Sequence, residues 1–296
     1  MCVVKIYKNE HTIFFYIAMI FMFLTLLFLY GGLFYDNFSA FLPFMDNGGV
    51  FRWGTLKIGE KTISLYWTAY FCGLILMWGI GIVRRKQYGL SMGKALLTGF
   101  LLLVTVYIGV KMLYILENLE AVVSGEMKIG WSGVSGYGGV FLLPLVMPLI
   151  GKLMKKDGLS YLDYCAPTAL ILLVSIRSGC FVQGCCAGIR IWIASSMVVL
   201  PAQLAECTLD LFLLDKILLL ERENKYERGR YFIIMGGYGI LRFFVEFIRD
   251  TSKDIWIFSE GQWLSLICIV IMGIYLAIER NQMNPVFKKN DISGNH

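Results

Sequence analysis

Arg242, Glu246 and Arg249 stand at i, i+4 and i+7 in the strongly apolar stretch from Tyr231 to Arg249. On a helix that spacing shares one face, so a plus–minus–plus stripe runs along an otherwise greasy rod. Ionisable groups at membrane depth cost roughly 3 kcal/mol each and face a bundle interior or a water-filled cavity. The stripe is therefore either a helix–helix salt bridge or a cationic pocket for an anionic ligand. A further arginine opens Arg177-Ser-Gly-Cys180-Phe-Val-Gln183-Gly184-Cys185-Cys186-Ala-Gly188, a run rich in small residues. A guanidinium fork matches phosphate oxygens, which makes this a phosphate-sized site. Gln203, Glu206 and Asp210 share a face of a helix that Pro201 can start. Acids there pair the neighbouring arginines or orient them around a ligand. The glycine-rich run Ser132–Val140, with Tyr137, Gly138 and Gly139, lets a backbone approach a ligand or another helix closely. Cys180, Cys185 and Cys186 have no histidine near them, the only two being His11 and His296. A zinc site would need a fourth ligand that the pattern does not offer, so no metal and no cofactor is expected. A disulfide involving one of the adjacent pair stays open on an oxidising face.

The elements that must position these groups are membrane helices. Of 296 residues, 57% are hydrophobic and 16% charged, against roughly 45–50% and 25% in soluble domains. With about 20 apolar residues needed per span, eight segments are expected, at 12–34, 63–83, 95–116, 138–153, 166–184, 203–221, 230–248 and 262–279. The fourth is short, and Arg177, Gly179 and Gly184 are expected to interrupt the fifth. A broken helix of that kind is tolerated only where it lines a cavity or is buried in protein.

Basic residues cluster on alternate loops: Lys5 and Lys8, Arg84-Arg85-Lys86, Lys152 with Lys155 and Lys156, Arg222 to Arg230, and Lys288-Lys289. By positive-inside counting both termini face the cytoplasm. The formal net charge of +6 then reflects basic loops against anionic lipid, and no nucleic-acid partner is implied. The fold class expected is an all-α polytopic membrane protein of about eight spans. Its parts are an N-terminal anchor (1–35), an outer loop (36–62), a membrane domain (63–280) and a cytoplasmic tail (281–296).

From about residue 63 to 280 the chain resembles the bacterial prolipoprotein diacylglyceryl transferase family. Ile176-Arg177-Ser-Gly179-Cys180-Phe181-Val-Gln183-Gly184-Cys185 is similar to the family's Gly-Arg-x-Gly-Asn-Phe-x-Asn-Gly-Glu, with Gly188 on a later family glycine. Leu200-Pro201-Ala-Gln203-Leu204-Ala-Glu206 resembles His-Pro-Ser-Gln-Leu-Tyr-Glu. Tyr238-Gly239-Ile-Leu-Arg242-Phe243-Phe-Val-Glu246-Phe247-Ile-Arg249 matches Tyr-Gly-x-x-Arg-Phe-x-x-Glu-Phe-x-Arg, and Ser259-Glu-Gly261-Gln262-Trp-Leu264-Ser265 is similar to Ser-x-Gly-Gln-x-Leu-Ser. There are departures. The family's His-Gly-Gly is Tyr137-Gly138-Gly139, its Trp-Tyr-Gly is Trp67-Thr68-Ala69, and an arginine preceding a family tyrosine is Lys111 before Tyr114. Cys180 and Cys185 replace an asparagine and a glutamate. The first segment has no counterpart in the usual seven-helix form.

The resemblance implies transfer of a diacylglyceryl group from phosphatidylglycerol to the lipobox cysteine of a prolipoprotein, releasing glycerol phosphate, in the bacterial cytoplasmic (inner) membrane. The implied partners are phosphatidylglycerol, membrane lipids and the prolipoprotein signal peptide with its lipobox. The implied catalytic residues are Arg177 and Arg242 on the phosphate and Tyr137 in the histidine's place. Gly138, Gly139, Gly188, Gln203, Glu206, Glu246, Arg249 and Lys111 are the implied substrate-binding set. Three alternatives stay open: a divergent member with another acceptor, a lipid or anion transporter, and a phospholipid-binding assembly factor without chemistry. The lack of an internal repeat counts against the transporter.

Overall fold

The computed structural model describes residues 17, 20, 55–58, 61–126, 130, 133–193, 196–251 and 256–293. The first expected span, 12–34, lies outside them apart from Ile17 and Ile20, both helical. After a short hairpin of β1 (Thr55–Ile58) and β2 (Lys61–Ser64) come α1 (Leu65–Arg84), α2 (Met92–Glu117), the short α3 (Leu119–Val123), α4 (Gly136–Leu153) and α5 (Gly158–Gln183). A second hairpin, β3 (Arg190–Ile193) with β4 (Ser196–Val199), precedes α6 (Ala202–Arg222), α7 (Arg230–Val245) and α8 (Glu260–Ser293). Both hairpins are antiparallel, pairing Thr55 with Ser64 and Arg190 with Val199 at their open ends.

Six of these helices, α1, α2, α4, α5, α7 and α8, are long and apolar enough to cross a membrane. Large apolar side chains point outward on them, among them Phe71, Ile75, Phe100, Leu145, Phe244 and Val270. A water-soluble surface rarely carries so many, whereas a lipid-facing belt requires them. The chain is thus a helical, multi-pass membrane protein. α6 is the exception, because Glu206, Asp210, Asp215 and Glu221 interrupt its apolar run, and all four are buried.

α5 is the hub, packed by α1, α4, α6, α7 and α2. Nearly every residue from Tyr161 to Leu172 is buried, as expected of a helix apolar around its whole circumference. The expected interruption of this span is not found. One 26-residue helix runs through Arg177 and Gly179 and starts well before 166. Asp157 caps its first turn by accepting from the Ser160 amide at 2.9 Å, and Gly184 ends it in the left-handed region at φ 72°. Pro167, which reads as a helix breaker, has no N–H to offer the Asp163 carbonyl. Arg84 of α1 makes good the loss, donating to the Asp163 and Tyr164 carbonyls at 3.3 and 2.8 Å. The same guanidinium pairs with Glu221 of α6 at 2.7 Å. The Asp163 carboxylate reaches across to α7 and accepts the Gly229 and Tyr231 amides, each at 2.9 Å. One end of the bundle is therefore tied by Arg84, Asp163 and Glu221, and the remaining charged cluster lies at the other.

Candidate functional site

The opposite ends of α5, α6 and α7 bring Arg177, Glu206 and Arg242 together. Glu206, one turn into α6, accepts from Arg177 Nε at 2.8 Å and from Arg242 Nη1 at 3.2 Å. Tyr238, one turn before Arg242, points its hydroxyl at the same carboxylate at 3.4 Å. Arg242 also pairs through Nη2 with Glu246 at 2.9 Å. Glu246 is held from its other oxygen by the Ser259 hydroxyl at 3.2 Å. α7 itself stops at Val245; Glu246–Ile248 form a 3₁₀ turn and Arg249 leaves in extended conformation. The tighter turn keeps Arg249 within 3.9 Å of Glu246, so the plus–minus–plus stripe survives although the α-helix does not.

Three guanidinium groups thus face two carboxylates. Arg177 spends only Nε on Glu206, leaving its two terminal nitrogens without a partner among the described residues, and Arg249 Nε is buried without a hydrogen bond. The surplus is positive and lies on the two arginines that keep some exposure, at 14% for Arg177 and 12% for Arg249. Asp210, one turn further along α6, is fully buried with neither carboxylate oxygen hydrogen-bonded.

Other residues expected at the site hold its walls. Gln203 donates through Nε2 to the Cys185 carbonyl at 2.6 Å, which fixes the turn after α5. Gly188 donates to the Leu200 carbonyl at 2.9 Å and bridges Arg249 in the manner of a strand pair. The second hairpin is thereby stitched to the end of α7. Lys111 donates to the carbonyls of Gly130 and Gly133 at 2.7 and 2.8 Å, tying down the loop before α4. Gly138 faces α2, where a Cβ would run into the Gly109 carbonyl, and Gly139 lies against Val106. Their close approach joins two helices.

Tyr137 lies behind the arginines. Its hydroxyl pairs with Ser265 of α8, and its ring packs on Phe141 and on Tyr238 at 5.9 and 5.7 Å. Tyr137, expected in the histidine's place, is thus buried with its hydroxyl already paired and its ring against Tyr238. Tyr238, Ser259 and Ser265 belong to recognisable motifs, yet the sequence reading left them out of the site. Each contacts a charged or catalytic candidate through a hydroxyl, which pattern alone does not reveal.

The turn after α5 is unusual. Gly184 at φ 72° and Cys186 at φ 59° fold the chain back on the helix end. Cys180, Cys185 and Cys186 thereby bring three sulfur atoms within 4.8 Å of one another. All seven cysteines among the described residues are free thiols, so none of the disulfides left open above joins two of them. The neighbouring Cys180 and Cys185 thiols hold the pKa of the Cys186 thiol well below its ordinary value, helped by Arg177 and Arg249.

The helical bundle and its ionic end define a multi-pass membrane protein with a charged site inside the bundle. Residues 54–278 match the prolipoprotein diacylglyceryl transferase family, and the chain belongs to that family. A phosphatidylglycerol–prolipoprotein diacylglyceryl transferase of Clostridium tetani is 29% identical over 185 residues, 57% of this chain and 74% of its own. A protein of the same name from Hydrogenovibrio crunogenus is 26% identical over 254 residues, covering 78% of this chain and 95% of its own. The second such transferase of Clostridium perfringens is 28% identical over 228 residues, 68% and 87% of the two chains. This chain is accordingly a transferase.

Proposed function

We propose that this protein moves the diacylglyceryl group of phosphatidylglycerol onto the lipobox cysteine of a prolipoprotein and releases glycerol phosphate. The observation that carries this reading is the unspent positive charge around Glu206. Among the described residues the two terminal nitrogens of Arg177 and the Nε of Arg249 have no hydrogen-bond partner, within one cluster that Glu206 and Glu246 only partly neutralise. A phosphodiester headgroup would complete that cluster. Its phosphate gains negative charge as the glyceryl carbon–oxygen bond breaks, and preoriented guanidinium groups favour that moment. Arg177 and Arg242 hold the phosphate in this scheme, and Glu206, Glu246 and Arg249 set their angles. Tyr137 positions Tyr238 from behind.

In the cell we place the protein in the cytoplasmic membrane with both termini inside, its first 35 residues adding an anchor to the 63–280 domain. α6 is then a spanning helix whose acids Glu206, Asp210, Asp215 and Glu221 are buried within the bundle, giving eight spans with the N-terminal one. The replacement of the family histidine by Tyr137, and of two polar positions by Cys180 and Cys185, favours a second reading with the same donor and another thiol acceptor. Purified protein supplied with labelled phosphatidylglycerol and a lipobox peptide separates the readings. Glycerol phosphate release with lipidated peptide supports the first, and release that needs some other thiol supports the second. No release under any acceptor removes both.

A further inference from the structure

Three thiols meet at the end of α5, and their geometry is that of a metal ligand set. Metal–sulfur bonds of about 2.3 Å place three sulfurs on one ion roughly 4 Å apart, whether trigonal or tetrahedral. The Cys180, Cys185 and Cys186 sulfurs already lie within 4.8 Å of one another, on a turn held by Gly184 and by the Gln203 bond to the Cys185 carbonyl. Cys180 is buried while Cys185 and Cys186 are exposed, so the set has a closed floor and an open mouth. Arg177 is one turn before Cys180 on α5, and the Gly188–Arg249 bridge brings the second arginine beside the loop. A divalent ion with three thiolates carries one net negative charge, which those arginines offset.

We propose that Cys180, Cys185 and Cys186 bind a thiophilic divalent cation of the zinc type, and that its fourth position takes the acceptor thiol. Among the described residues no other cysteine, histidine or acid joins the set. Three protein ligands with one exchangeable position is the arrangement of catalytic zinc, whereas structural zinc is closed by four. The inference rests on the transferase reading above and supplies what that reading lacks, a way to make the acceptor nucleophilic where no histidine stands. A thiol that coordinates such an ion loses its proton outright, here to solvent. The metal-bound sulfur then forms a bond to the glyceryl carbon. The carbon–oxygen bond to phosphate breaks, and its electron pair leaves on the phosphate oxygen beside Arg177. The product is a thioether, a poor ligand, and it leaves the metal. No electron donor or acceptor is needed.

The test uses the full-length protein in detergent, reduced and loaded with zinc(II) or cobalt(II) alone. About one metal per chain is expected, with sulfur-to-cobalt charge-transfer absorption. Cys185→Ser and Cys186→Ser, both at exposed positions, should lower metal affinity at least about 10-fold, while Cys72→Ser leaves it unchanged. A lipobox peptide should shift the cobalt spectrum, and the same peptide with serine for cysteine should not. Failure to bind metal, binding indifferent to Cys185→Ser and Cys186→Ser, or a spectrum blind to the peptide thiol would each overturn the proposal. So would an as-isolated disulfide within the trio that persists in active protein. Glycerol phosphate release that survives chelation but dies with Arg177→Ala would sink the metal and leave the transferase standing. Metal binding without any release would do the reverse.

Discussion

Glu206 holds two guanidinium groups at once, so the two arginines cannot be judged by charge alone. Lysine at 177 or 242 would keep a cation beside Glu206 but lose the planar fork that also reaches outward. Arg177→Lys and Arg242→Lys should therefore insert and fold, yet lower glycerol phosphate release by about 100-fold. Full activity in both lysine variants would reduce the cluster to a salt bridge between helices. Tyr137 divides the mechanisms differently. If it only positions Tyr238 from its bond to Ser265, Tyr137→Phe removes one hydrogen bond and should slow turnover by about fivefold. A proton-transferring tyrosine would cost 10²–10⁴-fold, a gap that single-turnover rates resolve easily.

At the scale of elements, the Arg84 node decides whether α5 keeps its length. Arg84 is fully buried and binds Glu221 through two nitrogens at 2.7 and 3.2 Å. It also serves the carbonyls beside Pro167. Arg84→Met would strand Glu221 in the bundle and should cost about 3–5 kcal/mol, read as a fall in the thermal midpoint in detergent. Restoring the midpoint with Glu221→Leu added would show that the stranded charge, more than the carbonyls, carries the penalty; an unchanged midpoint in the single variant would mean that the node contributes nothing. The same node explains what could and could not be read from the chain. Seven of the eight expected segments coincide with helices, six of them because a long apolar run leaves the backbone no other way to satisfy its polar groups. The start of α5 was misplaced because Asp163 and Pro167 are helix-unfriendly locally, and their compensation comes from Arg84, some 80 positions away. The arginines were legible for the opposite reason, since charge in an apolar run stands out wherever it falls. The thiol trio was legible only as three residues: its closeness depends on two left-handed turns, one of them at a cysteine, which no spacing rule anticipates.

At the scale of the molecule, the charges divide the bundle into two unlike ends. Arg84, Arg85, Lys86, Lys152, Lys155, Lys156, Arg222, Lys225, Arg228 and Arg230 all fall on helix ends or connections at the Arg84 end. The ionic site, the thiols and the second hairpin occupy the other. Ten cations on short connections outweigh anything the opposite loops offer, and such loops stay on the cytoplasmic side. On that orientation the site would open outward, the side from which the proposed acceptor cysteine would have to reach it. Reporter fusions at Asn224 and Asn284 should consequently report cytoplasm, and fusions near Asp46 and near Ser124 or Glu126 should report the outer side. Asn224 is the decisive position, because it lies in the connection between α6 and α7. An outward signal there would mean that α6, the helix with the buried acids, does not span. Glu206 would then have to reach Arg177 and Arg242 from a re-entrant segment, and the count of spans and the side on which the site opens would both change.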